Sequence, residues 1–133
     1  MSEPGSLFGF RPDPFGAPTD SFHAGVDIVV PDGTDLLAVD DGEVVAVQLG
    51  TSAGNIVRYM TRHGRVSCMH LSRILVAVGD SVTAGAIIGA TGFTGRVSPP
   101  GPAGAHLHLE LKPNGATSSV DPLPFLPVQP GEC

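Results

Sequence analysis

The sequence predicts an all-β fold, and three observations carry that prediction. Short apolar runs rich in β-branched residues recur along the chain, 18 Gly and 13 Pro fall between them, and charged residues make up only 15% of the 133 positions. Strands joined by tight turns give this texture, whereas amphipathic helices need longer runs with a 3.6-residue period and tolerate Gly and Pro poorly. Within the class, antiparallel sheet in a barrel- or sandwich-like arrangement is expected. A chain of 133 residues is long enough for one compact domain with a real core and short for two. Residues 1–133 are therefore read as a single unit, with its core over about 7–126 and a frayed tail over 127–133.

Residues 1–21, punctuated by Pro and Gly in "FGFRPDPFGAPTDS", read as an irregular surface loop with Phe8, Phe10 and Phe15 as anchors; no regular element is expected there. Candidate strands follow at Val26–Val30, Leu36–Val39, Glu43–Leu49, Asn55–Tyr59, Arg65–Leu71, Ile87–Ala90 and His106–Leu111. Turn signals separate them at "PDGT", "DDG", "GTSAG", "RHG" and "VGDSVTAG". The stretch "TGFTGRVSPPGPAGA", 91–105, is too rich in Gly and Pro to pair as a strand, so it forms a long loop delivering the chain to "HLHLEL"; such loops are as a rule functional or mobile. In the tail "SSVDPLPFLPVQPGEC", Leu123, Phe125 and Leu126 are expected to pack back on the core.

Composition excludes several functions. The formal net charge is −6 with no basic stripe, so the phosphate-neutralising surface of a nucleic-acid binder is missing. Tyr59 is the only tyrosine and there is no tryptophan, which leaves no stacking platform for bases or sugars. No stretch approaches the length of a membrane span, and "MSEPGSLFGF" has neither the positive start nor the apolar stretch of a signal peptide. Membrane insertion is not expected, and export is not encoded in these residues. Cys68 lies inside an apolar run and Cys133 is the last residue, so two unpaired thiols are expected. The sequence holds no CxxC pattern of a structural zinc ribbon.

The chemistry-bearing residues are mostly histidines. His106 and His108 stand two apart in "AHLHLEL", and alternation on a strand puts both imidazoles on one face with Leu107, Leu109 and Leu111 on the other. A solvated strand face carries such a pair equally well, and alternation alone lets either histidine reach a metal. His23 and Asp27 form a second pair in "SFHAGVDIVVP". In a straight strand they would stand about 13 Å apart at ~3.3 Å per residue, while two donors on one zinc, each at ~2.1 Å, stand no more than about 4 Å apart. If both ligate, the chain bends at Ala24 and Gly25, where glycine tolerates the required backbone, and Asp27 starts the strand. A carboxylate buried unpaired in an apolar strand costs several kcal/mol, which a cation or a strong hydrogen bond would offset. His70, in "CMHLS", shares a side with Cys68 if the strand alternates, with Met69 and Leu71 opposite. His63, in "TRHGR", falls at an expected hairpin turn and is assigned to solvent.

Taken in order, "FHAGVDIVVPDGTDLLAVDDGEVVAV", "GNIVRYMTRHGRVSCMHLSRILVAVGDSVTAGAIIGATGFTG" and "HLHLEL" resemble the lysostaphin/LytM family of zinc metallopeptidases, peptidase family M23. The similarity runs from about Leu7 to Leu126. The resemblance implies that His23, Asp27 and His108 bind zinc and that His70 and His106 line the reaction centre. It also implies a zinc-dependent endopeptidase that cuts cross-bridge or stem peptides of bacterial peptidoglycan, acting at the cell wall. Its groove would be walled by "GFRPDPFGAPTD" and "TGFTGRVSPPGPAGA". The second loop departs from the family pattern: it is longer before HLH and carries "GA" where Gly-Pro is usual, which bears on groove shape. A targeting domain, a larger assembly or a phage particle would supply delivery; oligomeric state is left open.

Three other readings compete. A catalytically inactive relative would act as a wall-binding module or an activator of other hydrolases, but all five expected residues stand here. A biotinyl- or lipoyl-carrier domain shares the pattern of "VGDSVTAGAIIGA", yet the only lysine, Lys112, lacks the flanking pattern of a carrier lysine. A virion structural protein retaining the fold is the third.

Overall fold

A computed structural model of the chain describes residues 4–6, 9–12, 20–23, 25–97, 100–116 and 119–120; before Gly25, and at Val26, the description is of the backbone. Twelve strands are present among them: β1 (Pro4–Ser6), β2 (Gly9–Pro12), β3 (Asp20–His23), β4 (Val26–Ile28), β5 (Asp35–Leu37), β6 (Gly42–Thr51), β7 (Gly54–Thr61), β8 (Gly64–Leu71), β9 (Arg73–Ile74), β10 (Ser81–Val82), β11 (Ile87–Ala90) and β12 (Leu107–Lys112). One short 3₁₀ turn, Pro102–Gly104, interrupts the loop before β12. The fold is thus all-β, as the sequence predicts.

Seven strands form one sheet in the order β1-β4-β12-β8-β7-β6-β10, three form a second in the order β5-β11-β9, and β2 and β3 make a hairpin. Every pairing is antiparallel. The core lies between the two larger sheets: Val44, Val57, Tyr59, Val66, Cys68, Leu107, Leu109 and Leu111 come from the seven-stranded sheet, and Leu36 and Ile88 meet them from the three-stranded one. Each fully buried side chain of this size contributes about 1.5–3 kcal/mol relative to exposure. Tyr59 is wholly buried, and its phenolic oxygen accepts the Val39 N–H at 3.1 Å. The polar tip of the core's largest ring is thereby satisfied.

β12 shows the alternation that positions the site. Leu107, Leu109 and Leu111 point into the core, while His108, Glu110 and Lys112 lie half-buried on the opposite face. Insertion of β12 between β4 and β8 sets His108 opposite Asp27 on one side and Met69 on the other.

The predicted strands from residue 26 onward are present, most with ends moved by one or two residues, and β9 and β10 are additional short ones. The expectation for residues 1–21 is corrected: β1 pairs with β4 and β2 pairs with β3. Pro and Gly argue against a central strand but not an edge one, because an edge strand leaves one row of backbone groups unpaired in any case. β1 is such an edge. The anchoring of Phe8, Phe10 and Phe15, the packing of Leu123, Phe125 and Leu126, and Cys133 lie outside the described residues. Cys68 is a free, buried thiol. No helix among the described residues is long and apolar enough to cross a membrane.

Candidate metal centre

β4 and β12 bring the first pair together. Asp27 and His108 are register partners, and Asp27 Oδ1 lies 2.7 Å from His108 Nδ1. The chain arrives there through a bend at Gly25, between the end of β3 at His23 and the start of β4 at Val26. Gly25 is required by close approach, since a Cβ on it would stand 2.2 Å from the carbonyl oxygen of Leu109. The bend between His23 and Asp27 is therefore pressed onto the strand that carries His108. The backbone of His23 pairs with Gly9; its side chain lies outside the described residues, as the predicted third ligand does with it.

His106 sits just before β12, bridged to Gly92, and turns to the same centre, with Nε2 3.6 Å from Asp27 Oδ1. Its Nδ1 lies 2.7 Å from the carbonyl oxygen of Gly104. A carbonyl only accepts, so Nδ1 carries a proton, and it is Nε2 that faces Asp27. His70 completes the group: its ring centroid lies 4.7 Å from that of His106 and 6.3 Å from that of His108. Its Nδ1 donates to the Thr94 carbonyl at 2.8 Å, which leaves Nε2 as the acceptor.

The alternation reading of His70 is corrected. Cys68 and Leu71 both belong to the core, and Met69 is the cross-strand partner of His108, so Cys68 and His70 do not share a face. The cause is a bulge in β8. Val57 pairs with Cys68 and Asn55 with Leu71, leaving three steps on β8 against two on β7, and His70 is the one non-glycine residue with positive φ among the described residues, at 62°. Such a bulge re-aims a side chain, here turning the imidazole onto the face of His106 and His108.

A clamp holds the bulge. The His70 N–H donates to the Ala53 carbonyl, Thr94 Oγ1 donates to the Leu71 carbonyl at 2.8 Å, and the Asn55 N–H donates to Thr94 Oγ1. Gly54, at φ 77°, lets the β6–β7 turn approach this point, since a Cβ there would stand 2.4 Å from the Thr94 carbonyl oxygen. Backbone strain of this kind persists only where its surroundings over-determine it.

The electrostatics favour a cation. Asp27, His106 and His108 side chains are only 12–15% exposed. Burial disfavours the His108 imidazolium, but the hydrogen bonds it donates to Asp27 and to Glu110, whose Oε2 lies 2.9 Å from Nε2, outweigh it and push the pKa up to about 9. His70 moves the other way: burial pushes its pKa below the usual imidazole value, its hydrogen bond to Thr94 opposing. His63, as expected, stands in the β7–β8 turn, part-exposed, with Nε2 3.7 Å from Asp40 Oδ2 and away from this group.

The donor set fits a divalent metal as far as it is described. Asp27 Oδ1 and His108 Nδ1, at 2.7 Å, are within the ~4 Å that two donors on one zinc allow. Among the described residues no group of three or more His, Cys, Asp or Glu side chains is placed to hold a metal ion. Sequence reasoning missed Glu110 and Thr94. Glu110 was accessible to it, lying two positions past His108 and so on the same strand face; the backbone carbonyl of Thr94 leaves no trace in a side-chain pattern.

The chain belongs to peptidase family M23, whose family model matches residues 21–122. Among curated relatives, the peptidoglycan DD-endopeptidase ShyA of Vibrio cholerae is 42% identical over 95 residues, covering 67% of this chain and 20% of that protein. Of solved structures, the catalytic domain of the antimicrobial peptidase lysostaphin from Staphylococcus simulans superposes with a TM-score of 0.79 at 32% identity, over 96% of this chain and 93% of that one. A zinc-containing peptidase from Vibrio cholerae superposes with a TM-score of 0.73 at 29% identity, over 90% of this chain and 35% of that one. The chain spans between a fifth and a third of the length of the first curated relatives it matches.

Proposed function

We propose that residues 1–133 are a single zinc metalloendopeptidase domain that hydrolyses peptide bonds in bacterial peptidoglycan, with His23, Asp27 and His108 as metal ligands and His70 and His106 lining the reaction centre. The observation that carries this reading is the convergence of Asp27, His108, His106 and His70 on one sheet face in a chain of family M23. The names of its relatives support the substrate and the metal: one is a peptidoglycan endopeptidase and another contains zinc.

Zinc with three protein ligands and an open position supplies a water of lowered pKa and a Lewis acid for the scissile carbonyl. The chain's own residues do the rest. His70 and His106 each have Nδ1–H tied to a backbone carbonyl, so each offers Nε2 to the centre. Neutral, such a nitrogen takes a proton from water; protonated, it donates to the leaving amine or to the developing oxyanion. The Thr94–Asn55–Leu71 clamp keeps His70 oriented through that cycle. The loop over 91–105 and the segment before His23 are proposed as groove walls for an extended peptide, with a targeting domain or larger assembly providing delivery to the wall.

The test is metal analysis coupled to wall digestion. Purified protein is expected to hold about one zinc per chain, to release muropeptides from intact walls, and to stop on chelation. His23→Ala and Asp27→Ala should lose both metal and turnover, and His70→Ala should keep the metal and lose turnover. Mass spectrometry of the products from walls with different cross-bridges identifies the bond. Zinc uptake with no product from any wall would refute the hydrolytic reading.

A further inference from the structure

We propose that Glu110 is a positioning residue of the metal centre: its carboxylate fixes the tautomer and ring orientation of His108 so that Nδ1 is the nitrogen that binds the cation. The inference rests on the reading of His108 as a ligand given above. Glu110 lies on the same face of β12 as His108, and its Oε2 stands 2.9 Å from Nε2, while Nδ1 stands 2.7 Å from Asp27 Oδ1.

With a cation on one nitrogen the imidazole keeps one proton, and the two carboxylates offer it two places. Held on Nδ1 by Asp27, the proton blocks the nitrogen that faces the other ligand. Held on Nε2 by Glu110, it leaves a lone pair on Nδ1 beside Asp27. Glu110 therefore selects the ligating tautomer against the pull of Asp27 and anchors the ring at its far nitrogen. It does so from a well-braced position: Glu110 is the register partner of Ser67 on β8, Ser67 pairs with Arg58 on β7, and the Arg58 Nε–H donates to Ser67 Oγ at 3.1 Å. Outer partners of this kind are typically worth about 10–100-fold in metal affinity.

The experiment titrates metal-free wild type, Glu110→Ala, Glu110→Gln and His108→Ala with zinc chloride against a fluorescent chelator, and reads the His108 tautomer from long-range ¹⁵N–¹H NMR. Zinc-loaded wild type should show Nε2–H with the metal on Nδ1. Glu110→Ala should bind zinc about 10–100-fold more weakly while its metal-free form still folds. Glu110→Gln, whose amide oxygen still accepts from Nε2–H, should recover most of the loss, which a merely structural role would not predict. Zinc binding by Glu110→Ala within about threefold of wild type, well short of that range, would overturn the proposal, as would metal on Nε2. Should Glu110→Ala fail to fold, the tautomer in wild type and Glu110→Gln decides alone: Nε2–H in both supports the role, and Nδ1–H in zinc-loaded wild type removes it. His108→Ala separates the two levels. If it binds zinc like wild type, the ligand reading fails and this inference with it; if it loses zinc while Glu110→Ala keeps it, only the role of Glu110 fails.

Discussion

Gly25→Ala tests how tightly the site depends on one missing carbon. The added Cβ would stand 2.2 Å from the Leu109 carbonyl oxygen and 2.9 Å from Glu110 Cγ. A carbon meets a carbonyl oxygen at about 3.3 Å, so the bend and β12 must separate by about 1.1 Å. That gap falls beside the Leu109↔Val26 and His108↔Asp27 pairings. Losing one or two ladder hydrogen bonds at about 1 kcal/mol each, with overpacking strain of about 1–3 kcal/mol, gives a destabilisation on the order of 2–5 kcal/mol. For a chain of this size that is a fall in Tm of roughly 6–25 °C. The assay is thermal unfolding of the metal-free protein by circular dichroism, followed by zinc titration of the folded variant. The variant should melt early and bind zinc more weakly, because Asp27 is carried away from His108. A Tm within about 2 °C of wild type, below the shift that 1 kcal/mol brings, with unchanged zinc affinity would refute the close approach and the reasoning built on it.

The remaining predictions concern the core. Tyr59→Phe strips the Val39 N–H of its acceptor and should cost about 1–3 kcal/mol in urea unfolding; a loss below about 0.3 kcal/mol, far under that penalty, contradicts it. In a Cys133→Ser background, where Cys68 is the sole thiol, a thiol reagent should react in urea and not with the native protein, because Cys68 is buried and its pKa is pushed up to about 12 by burial; prompt native labelling would place Cys68 at the surface. Alkaline pH should unfold the protein progressively. Cys68 and Tyr59, both raised by burial, stay protonated in the fold, whereas their ordinary values are 9.0 and 10.0. Above pH 9 the unfolded chain binds fewer protons, so stability is fully present below that pH and falls as pH rises, by up to about 1.4 kcal/mol per unit from Cys68 alone. Urea midpoints that stay level from pH 8 to 10.5 would count against this.

Much of this architecture is legible in the sequence where local rules suffice. Ile87–Ala90 and the core-facing leucines of β12 follow from β-branched content and alternation, and a bend before Asp27 is legible in Gly25, where glycine tolerates the backbone it needs. What is not legible depends on distant partners. β1–β3 gain their strand character from edge pairing that no Pro- and Gly-rich segment signals. The face of His70 reverses through one left-handed residue, held by a turn at Ala53 and a loop at Thr94, neither of which is adjacent in sequence. Glu110 is the intermediate case: its face was readable, but its hydrogen bond to His108 required the side-chain geometry.

Asp27 and His108 stand 81 positions apart and meet because β12 inserts between two other strands. During synthesis Asp27 emerges before residues 107–112, and β4, which pairs with β1 on one side, lacks its other neighbour until those residues have been made and have threaded into the slot. Closing so long a loop is entropically slow, and docking an interior strand late ties the whole sheet into one cooperative step. A nascent chain halted before that point lacks the Asp27–His108 pair, so the candidate centre is assembled only with β12 in place.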